Sequence, residues 1–390
     1  MVMKVFTGAH IITPYEEIME GTLITHGQKI AAVQGGPGSR GESDYPTGDD
    51  VEIIDATGLT LCPGFIDIHI HGVAHNRVTG GPQAIRAMAE TLPKFGVTSF
   101  LPTIGAEPIE DMERTVAYAN DLTCSGANMV GIHLEGPFIN PKRKGAQREE
   151  AIIPPSLPTI DRLWELSKGM LRLVTLAPEL AGSMEVIEFL RDRDVAIAIG
   201  HSDGTYEESC QAFRNGVRLV THTFNGMRGL HHREPGVVGA ALTTAGVMCE
   251  IIGDLVHVHP AVIRLLLACK GTDSVIMVTD SGELTGLPDG EYARDGGRIV
   301  TIADGRCTLA DGTIAGSTST LNRNIRNLRN MGISWCDVVK MASLNPARAI
   351  GIENRKGSLV PGKDADLVLL DDSCEVQGCY VAGDEVYTRE

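Results

Sequence analysis

The sequence has few aromatic residues, fewer basic than acidic residues, and no long hydrophobic run. Phe, Trp and Tyr make up 4% of the 390 residues, and 34 Lys and Arg stand against 50 Asp and Glu, which gives a formal net charge of −16 at pH 7. A chain this acidic is a poor binder of nucleic acid or of an anionic membrane. No segment approaches the roughly 20 apolar residues that cross a bilayer. We therefore expect neither a nucleic-acid-binding protein nor a membrane protein.

The cysteines also lack the spacing of a bonded framework. Nine of them are scattered from Cys62 to Cys379, and no two form a CxxC pair. This odd, dispersed set is typical of reduced thiols and not of disulfides or a thiolate zinc site. The amino-terminal segment MVMKVFTGAHIITPYEE has no long apolar run, so it predicts no signal peptide. We expect a cytoplasmic protein.

Apolar, β-branched runs recur through the middle of the chain at intervals of about 20 to 40 residues. The eight runs are residues 65–72, 98–104, 128–136, 171–179, 195–202, 219–225, 247–254 and 274–282. Such runs are typical of strands that are buried on both faces, and helical patterns fill several of the gaps between them. Eight strand–helix units predict a (β/α)8 TIM-type barrel. A doubly wound parallel sheet is the alternative.

Both ends of the chain have a different character, with short strand-like segments separated by Gly, Pro and Asp. We predict that residues 1–61 and 356–390 together form a small β-sandwich domain. Residues 62–355 then form the catalytic barrel of this α/β protein.

A barrel of this kind carries its active site at the carboxyl ends of its strands. Six residues that could bind a metal lie at or near the ends of five of the predicted strands: His69, His71, Glu135, His201, His222 and Asp280. A single histidine of this kind is as often a buried structural residue as a ligand. Six such residues on five separate strands favour one shared metal site.

His69 and His71 are two residues apart, so on a strand both side chains point to the same face and both rings can hold one divalent ion. Glu135 could bridge two ions. Imidazole and carboxylate ligands suit zinc, iron, manganese or cobalt, and zinc is the ion we expect. His133 has the same parity as Glu135 but lies deeper in its strand, and we expect it to be structural.

At these residues the sequence resembles the amidohydrolase superfamily and, within it, the family of N-acetylglucosamine-6-phosphate deacetylases. The resemblance covers essentially the whole chain. It is carried by PGFIDIHIHG, HLEGPFINPKRKGA, GHSDGTYEE, THTFNGM, REPGVVGAAL, VTDSGELTGLPDGEY, LADGTIAGSTSTL, MASLNPARAIGI and KGSLVPGKDADLVLLD. Together these motifs are highly specific, whereas PGFIDxHxH alone would indicate only the superfamily.

The resemblance implies hydrolysis of N-acetyl-D-glucosamine 6-phosphate to D-glucosamine 6-phosphate and acetate, in amino-sugar catabolism or recycling. It implies one ion held by Glu135, His201 and His222, and the HxH pair makes a second ion plausible. Asp280 matches the catalytic aspartate, which would act as base and then as acid. Further positions match substrate contacts: Ala146, Asn225, Gly226, Arg233, His257, Ile314, Ala315 and Gly316. We also expect His257 to be catalytic, by stabilising the oxyanion of the tetrahedral intermediate together with the metal. The Arg233 equivalent reaches the neighbouring subunit's site, which implies a homodimer.

Two positions depart from the family pattern. Gln147 stands where members often have histidine, and GDL replaces the usual ADG, so that Asp254 could be displaced. These departures leave an N-acetylgalactosamine-6-phosphate deacetylase as an alternative. Another amidohydrolase acting on an N-acyl substrate, or a non-enzymatic assembly protein on the same scaffold, are further alternatives. Among other amidohydrolases, a dihydroorotase-like enzyme would be favoured by a lysine at the end of the fourth strand. The assembly protein would be favoured by lost metal ligands, and the sequence shows neither feature.

Overall fold

The computed structural model describes residues 2–35, 48, 50–120, 122–294, 298–303, 305–310 and 314–390. Its centre is a barrel of eight parallel strands, in which each strand pairs with its neighbours in chain order. The eight strands are Phe65–Ile70, Val97–Ile104, Ile132–Glu135, Leu171–Leu176, Ala196–Ile199, Leu219–Val220, Met248–Ile252 and Val275–Val278. The short strand Asn128–Met129 adds to the second of them.

The barrel closes between its eighth and first strands. The backbone N–H of Asp280 donates to His69 O at 2.9 Å, and that of His71 donates to Ser281 O at 2.8 Å. These hydrogen bonds lie just beyond the eighth strand, so closure itself brings Asp280 next to the two histidines of the first strand. The predicted (β/α)8 barrel is confirmed.

A helix follows every barrel strand. These eight helices are Pro82–Thr91, Ile109–Ala119, Leu157–Ser167, Ser183–Arg191, Tyr206–Arg214, Gly236–Thr243, Pro260–Lys270 and Leu321–Asn330. Local sequence sets their starts: Thr205 and Glu208 form a capping box, and Ser156 accepts a hydrogen bond from the backbone N–H of Thr159. Their apolar faces pack on the barrel in one large hydrophobic core.

Shorter elements complete the barrel domain. They are the 3-10 turns Val78–Gly80, Leu92–Phe95, Pro141–Arg143, Glu149–Ala151 and Thr272–Ser274, the hairpin strands Gly72–Val73 and Asn76–Arg77, and the helical segments Trp335–Val339, Lys340–Leu344 and Asn345–Ala349. Asn345 fixes the last helix beneath the barrel, because its Nδ2 donates to Val275 O at 2.7 Å at the amino end of the eighth strand. The opposite end, where the strands finish, is left for the site.

Strands from both termini form one eight-stranded sheet. They are Met3–Ile12, Glu17–His26, Lys29–Gln34, Val51–Asp55, Thr60–Pro63, Leu367–Leu370, Val376–Val381 and Asp384–Thr388. The two ends of the chain meet where Leu367–Leu370 pairs antiparallel with Thr60–Pro63. A separate β-rich domain built from both termini is therefore confirmed, while the boundaries of 1–61 plus 356–390 and of 62–355 stay a prediction.

A four-stranded antiparallel sheet, which the apolar runs of the sequence do not predict, lies between the eighth barrel strand and its helix. Its strands are Gly290–Arg294, Arg298–Ala303, Arg306–Leu309 and Ile314–Ser317. The last strand returns the chain to the barrel mouth, where Gly282 donates its N–H to Ser317 O at 3.2 Å. In the part of the chain that the structure describes, no helix has the length and apolar character needed to cross a membrane.

Candidate metal centre

The six predicted ligands converge at the carboxyl end of the barrel. They form two groups in which the ligating atoms lie within 4.8 Å of one another. One group, here called the Glu135 triad, is Glu135, His201 and His222; the other, the Asp280 triad, is His69, His71 and Asp280. Five separate strands bring these side chains together, as their spacing in the sequence predicts.

Glu135 connects the two triads. Its Oε1 lies 2.9 Å from His201 Nε2, 3.0 Å from His222 Nε2 and 3.4 Å from His69 Nε2. Its Oε2 lies 3.1 Å from His71 Nε2. One carboxylate therefore faces four imidazoles from two directions, and this is the geometry of a ligand that can be shared between two ions.

Asp280 lies at the outer edge of the centre. Its Oδ1 is 3.4 Å from His69 Nε2 and 3.3 Å from His71 Nε2. The Asp280 side chain is 24% exposed, whereas that of Glu135 is 2% exposed. Asp280 can therefore contact both an ion and a molecule that enters from solvent.

Three of the six residues have left-handed backbone conformations. The φ angles are +46° for His201, +29° for His222 and +49° for Asp280. Residues other than glycine seldom adopt positive φ, and such strain is concentrated at functional sites. Each of these residues follows the end of a strand, and the reversed φ turns the chain there.

Hydrogen bonds at Nδ1 orient three of the four rings. His71 Nδ1 donates to Thr103 O at 3.1 Å and His201 Nδ1 donates to Arg143 O at 2.7 Å. His69 Nδ1 donates to the carboxylate of Glu250 at 3.0 Å. With Nδ1 protonated, each ring presents the Nε2 lone pair to the centre, as a metal-binding histidine does.

The electrostatics of the centre favour a cation. Burial alone would raise the pKa of Glu135, but the charges of His69 and His201 outweigh it and hold that pKa well below its usual range. Burial lowers the pKa of His71, but hydrogen bonds to Asp280 and Glu135 outweigh this effect and raise the pKa to about 9. The carboxylates therefore attract positive charge, which a divalent ion can supply in place of protons on the imidazoles.

The residues present fit a divalent transition metal. Nitrogen and carboxylate oxygen are the donors, and neither triad includes a thiolate. His69 Nε2 is fully buried without a hydrogen-bond partner among the described residues, and the Nε2 atoms of His201 and His222 face each other at 3.1 Å. Two imidazole nitrogens with lone pairs directed at the same point are stabilised by a cation between them. Zinc, iron, manganese and cobalt suit this donor set.

A family model described as "Amidohydrolase family" matches residues 60–386. The chain belongs to the amidohydrolase family. It is 36% identical over 374 residues to an N-acetylglucosamine-6-phosphate deacetylase of Bacillus subtilis, covering 94% of this chain and 92% of the relative. It is also 36% identical over 338 residues to an N-acetylgalactosamine-6-phosphate deacetylase of Escherichia coli, covering 85% and 89% respectively.

Solved structures give the same result for the fold. An N-acetyl-D-glucosamine-6-phosphate deacetylase variant from Mycobacterium smegmatis, in complex with N-acetyl-D-glucosamine-6-phosphate, matches with a TM-score of 0.89 and 29% identity over 100% of both chains. An N-acetylglucosamine-6-phosphate deacetylase from Pasteurella multocida matches with a TM-score of 0.89 and 30% identity over 98% of this chain and 99% of that one. This amidohydrolase therefore shares its whole architecture with those enzymes.

In this amidohydrolase, Asp254 of the GDL departure still contacts His257. Its Oδ2 accepts a hydrogen bond from His257 Nδ1 at 2.6 Å, and its Oδ1 accepts one from the backbone N–H of His257 at 3.0 Å. Burial lowers the pKa of His257, but the Asp254 carboxylate outweighs this effect and raises it. Asp280 raises it further, so His257 lies within electrostatic reach of the metal centre.

Gly226 and Asn225 also lie at the centre. A Cβ on Gly226 would lie 3.0 Å from His201 Nδ1 and 3.4 Å from His222 Cε1, and Gly226 has a φ of +59°. Asn225 Nδ2 donates to His222 O at 3.2 Å. Both residues of the sixth-strand turn therefore contact the ligands of the Glu135 triad, in addition to any contact with substrate.

The other predicted substrate residues make no described contact with the two triads. Arg233 is exposed, with its Nη1 2.6 Å from His232 Nε2, and the described residues of this chain show no ion pair between it and the two triads. Ala146 is exposed on the loop after Glu135. Gly316 lies in the strand Ile314–Ser317, while the side chains of Ile314 and Ala315 lie outside the described residues. Their contact with substrate stays a prediction.

Two contacts of the candidate ligands were not predicted from the sequence. Gln147 Nε2 donates to Glu135 Oε2 at 2.6 Å, and its Oε1 accepts from the backbone N–H of Ala106 at 2.8 Å. Glu250 lies behind His69. The signal for Glu250 was a charged residue in the apolar run VMCEIIGD, since such a residue is seldom buried without a partner.

Proposed function

We propose that this amidohydrolase removes the acetyl group of N-acetyl-D-glucosamine 6-phosphate to give D-glucosamine 6-phosphate and acetate. The observation that carries the proposal is the pair of triads around Glu135, with Asp280 at the open edge. The names of the relatives at 36% identity and of the matching structures supply the substrate class. Such a reaction belongs to amino-sugar catabolism or recycling, and nine free cysteines support a cytoplasmic enzyme.

The Glu135 triad would hold one divalent ion, and the Asp280 triad, with Glu135 shared, would hold a second. We propose zinc, with iron, manganese and cobalt as the other candidates for this donor set. When bound, such an ion supplies Lewis acidity, which lowers the pKa of water to about 7.

Asp280 is the residue that moves protons. Burial raises its pKa, but the charge of His69 and a hydrogen bond from His71 outweigh this and lower it to about 2, so Asp280 is an acceptor at neutral pH. The Asp280 carboxylate would take a proton from the water that attacks the acetyl carbonyl. The resulting carboxylic acid would then donate that proton to the departing amine, which is a poor leaving group without it.

His257 would bind the carbonyl oxygen of the acetyl group. Because its Nδ1 is held by Asp254, its Nε2 is the nitrogen that can donate to the substrate. A charged or polarised N–H aimed at that oxygen stabilises the negative charge that develops as the amide is attacked. Asp254 thus has the role of fixing the ring of His257.

Arg233 would bind the phosphate group, because a guanidinium can pair with two phosphate oxygens. We propose that it does so in the neighbouring subunit of a homodimer, which agrees with its exposure and its lack of an ion pair to the triads within the described chain. Ala146, Asn225 and Gly226, together with the segment 314–316, would contact the sugar phosphate.

Acetate release decides the substrate. Purified enzyme is stripped with a chelator, reloaded with Zn, Fe, Mn or Co, and assayed on the 6-phosphates of N-acetylglucosamine and N-acetylgalactosamine. We expect no release without metal, and a higher kcat/KM for the glucosamine substrate than for its epimer. Activity in the stripped enzyme equal to that of the reloaded enzyme would refute the metal centre, and a preference for the galactosamine substrate would refute the proposed sugar.

A further inference from the structure

Glu250 is a carboxylate in the middle of the seventh barrel strand, Met248–Ile252, and it is 0% exposed. Its neighbours along the strand, Cys249 and Ile251, are also fully buried. Burying a carboxylate is costly unless partners compensate for the lost hydration. The contacts of Glu250 therefore indicate why a strand would carry a charge at this position.

Both described contacts of the Glu250 carboxylate are to metal-centre residues. Its Oε2 lies 3.0 Å from His69 Nδ1 and 3.1 Å from the backbone N–H of His222. Its Oε1 has no hydrogen-bond partner among the described residues, and neither does the buried Nδ1 of His222. One carboxylate oxygen thus touches one histidine of each triad, the ring of His69 and the backbone of His222.

His69 has the strongest orienting partner of the three oriented rings. His71 and His201 donate Nδ1–H to neutral backbone carbonyls of Thr103 and Arg143, whereas His69 donates to an anion. A carboxylate behind an imidazole holds the Nδ1 proton, fixes the ring angle and increases the electron density at Nε2. Nε2 of His69 is the atom that faces both Glu135 and Asp280.

We propose that Glu250 is a positioning residue that sets the affinity of the Asp280 triad for its ion through the ring of His69. It also fixes the turn at His222 through the backbone, so it connects the two triads from beneath. This inference rests on the metal centre proposed above, and not on the identity of the sugar.

A competition titration with Zn²⁺ and a chromophoric chelator, without substrate, tests the proposal. The proteins are wild type, Glu250→Gln, Glu250→Asp and His69→Ala. Because His69→Ala lacks the ring, it identifies the Zn²⁺-binding step that depends on His69. The matched control is Asp67→Asn, because Asp67 is equally buried and accepts from the backbone N–H of His69 at 3.2 Å, not from its ring. The visible spectrum of the Co²⁺-loaded proteins reports the coordination geometry independently.

We expect Glu250→Gln to weaken the His69-dependent step by about 10- to 100-fold and to change the Co²⁺ spectrum. Asp67→Asn should stay within about threefold of wild type. Glu250→Asp keeps the charge, but its shorter side chain moves the carboxylate away from the His69 ring, so this variant should also weaken that binding step. It replaces Glu250→Gln in the test if the glutamine variant does not fold. Wild-type affinity in both Glu250 variants, or an equal loss in Asp67→Asn, would overturn the proposal. Failure of the wild type to bind any ion would instead refute the metal centre, and this inference with it.

Discussion

Gly226 lies against both histidines of the Glu135 triad, and its replacement by alanine tests whether that contact matters to metal binding. With a φ of +59°, Gly226 has the left-handed conformation that an L side chain disfavours. The added Cβ would lie 3.0 Å from His201 Nδ1 and 3.2 Å from His201 Cε1. It would therefore push the ring whose Nδ1 donates to Arg143 O at 2.7 Å.

The chain provides a matched control for the backbone part of this effect. Gly246 has a φ of +75°, but a Cβ there would meet nothing within 4 Å. Both Gly→Ala changes should lower the free energy of unfolding by about 1–2 kcal/mol through backbone strain. Only Gly226→Ala should also displace His201, and the loss of a correctly oriented ligand weakens metal binding by roughly 10- to 100-fold.

Thermal unfolding of the metal-free proteins measures the loss of stability from backbone strain, which both variants share. A Zn²⁺ competition titration without substrate measures the loss of ion affinity, which we expect only in Gly226→Ala. We predict a similar decrease in Tm for both variants and a loss of ion affinity in Gly226→Ala alone. This prediction is refuted if Gly226→Ala binds Zn²⁺ as tightly as wild type, or if Gly246→Ala loses as much affinity. Because substrate is absent, a substrate contact of Gly226 cannot produce the predicted difference.

Three further predictions concern the reaction. Asp280→Asn should retain the ion of the Glu135 triad, measured by elemental analysis, but lose about 100- to 10,000-fold in kcat, whereas Asp273→Asn in the turn before the same strand should leave acetate release unchanged; full activity of Asp280→Asn would remove the proposed base. Arg233→Ala should raise KM for the phosphorylated sugar by roughly 10- to 150-fold, from the loss of about 1.5–3 kcal/mol of charge-assisted hydrogen bonding, with little change for the unphosphorylated sugar; equal effects on both would argue against a phosphate contact. Asp254→Asn should lower the pKa of His257, because burial alone lowers it and Asp254 raises it; an NMR titration showing the same pKa in both proteins would contradict that origin.

The positions of the six candidate metal ligands could be predicted from the sequence, because the carboxyl ends of barrel strands lie at one mouth. His69, His71 and Glu135 end strands whose apolar, β-branched pattern predicts burial on both faces, and the carboxyl ends of barrel strands meet at one mouth. The exact lengths of the strands could not be predicted from the sequence. The sixth strand is only Leu219–Val220, although its run in the sequence extends over residues 219–225, since the chain turns at His222 with a φ of +29°.

The four-stranded insertion between Gly290 and Ser317 was missed for a different reason. Its segments are short and lie between turn-forming Asp-Gly pairs, a pattern that indicates hairpins. These segments are less apolar than the barrel strands, so the pattern that identifies eight buried strands does not include them. Antiparallel hairpin signals, counted separately from the barrel strands, would have predicted the insertion.

The residues that orient the histidine rings are harder to predict from the sequence, because the partners of the three oriented rings come from distant parts of the chain. Two of them are backbone carbonyls, Thr103 O and Arg143 O, and any residue type at those positions offers the same oxygen. Only the third, Glu250, leaves a trace in the sequence, as a charge within an apolar run. A buried charge on a barrel strand outside the obvious ligands is therefore a useful sequence signal for a residue that positions a metal ligand. The Glu250 variants test that signal directly. In Glu250→Gln the side chain has the same shape but no charge, and we expect the folded protein to bind the ion less tightly.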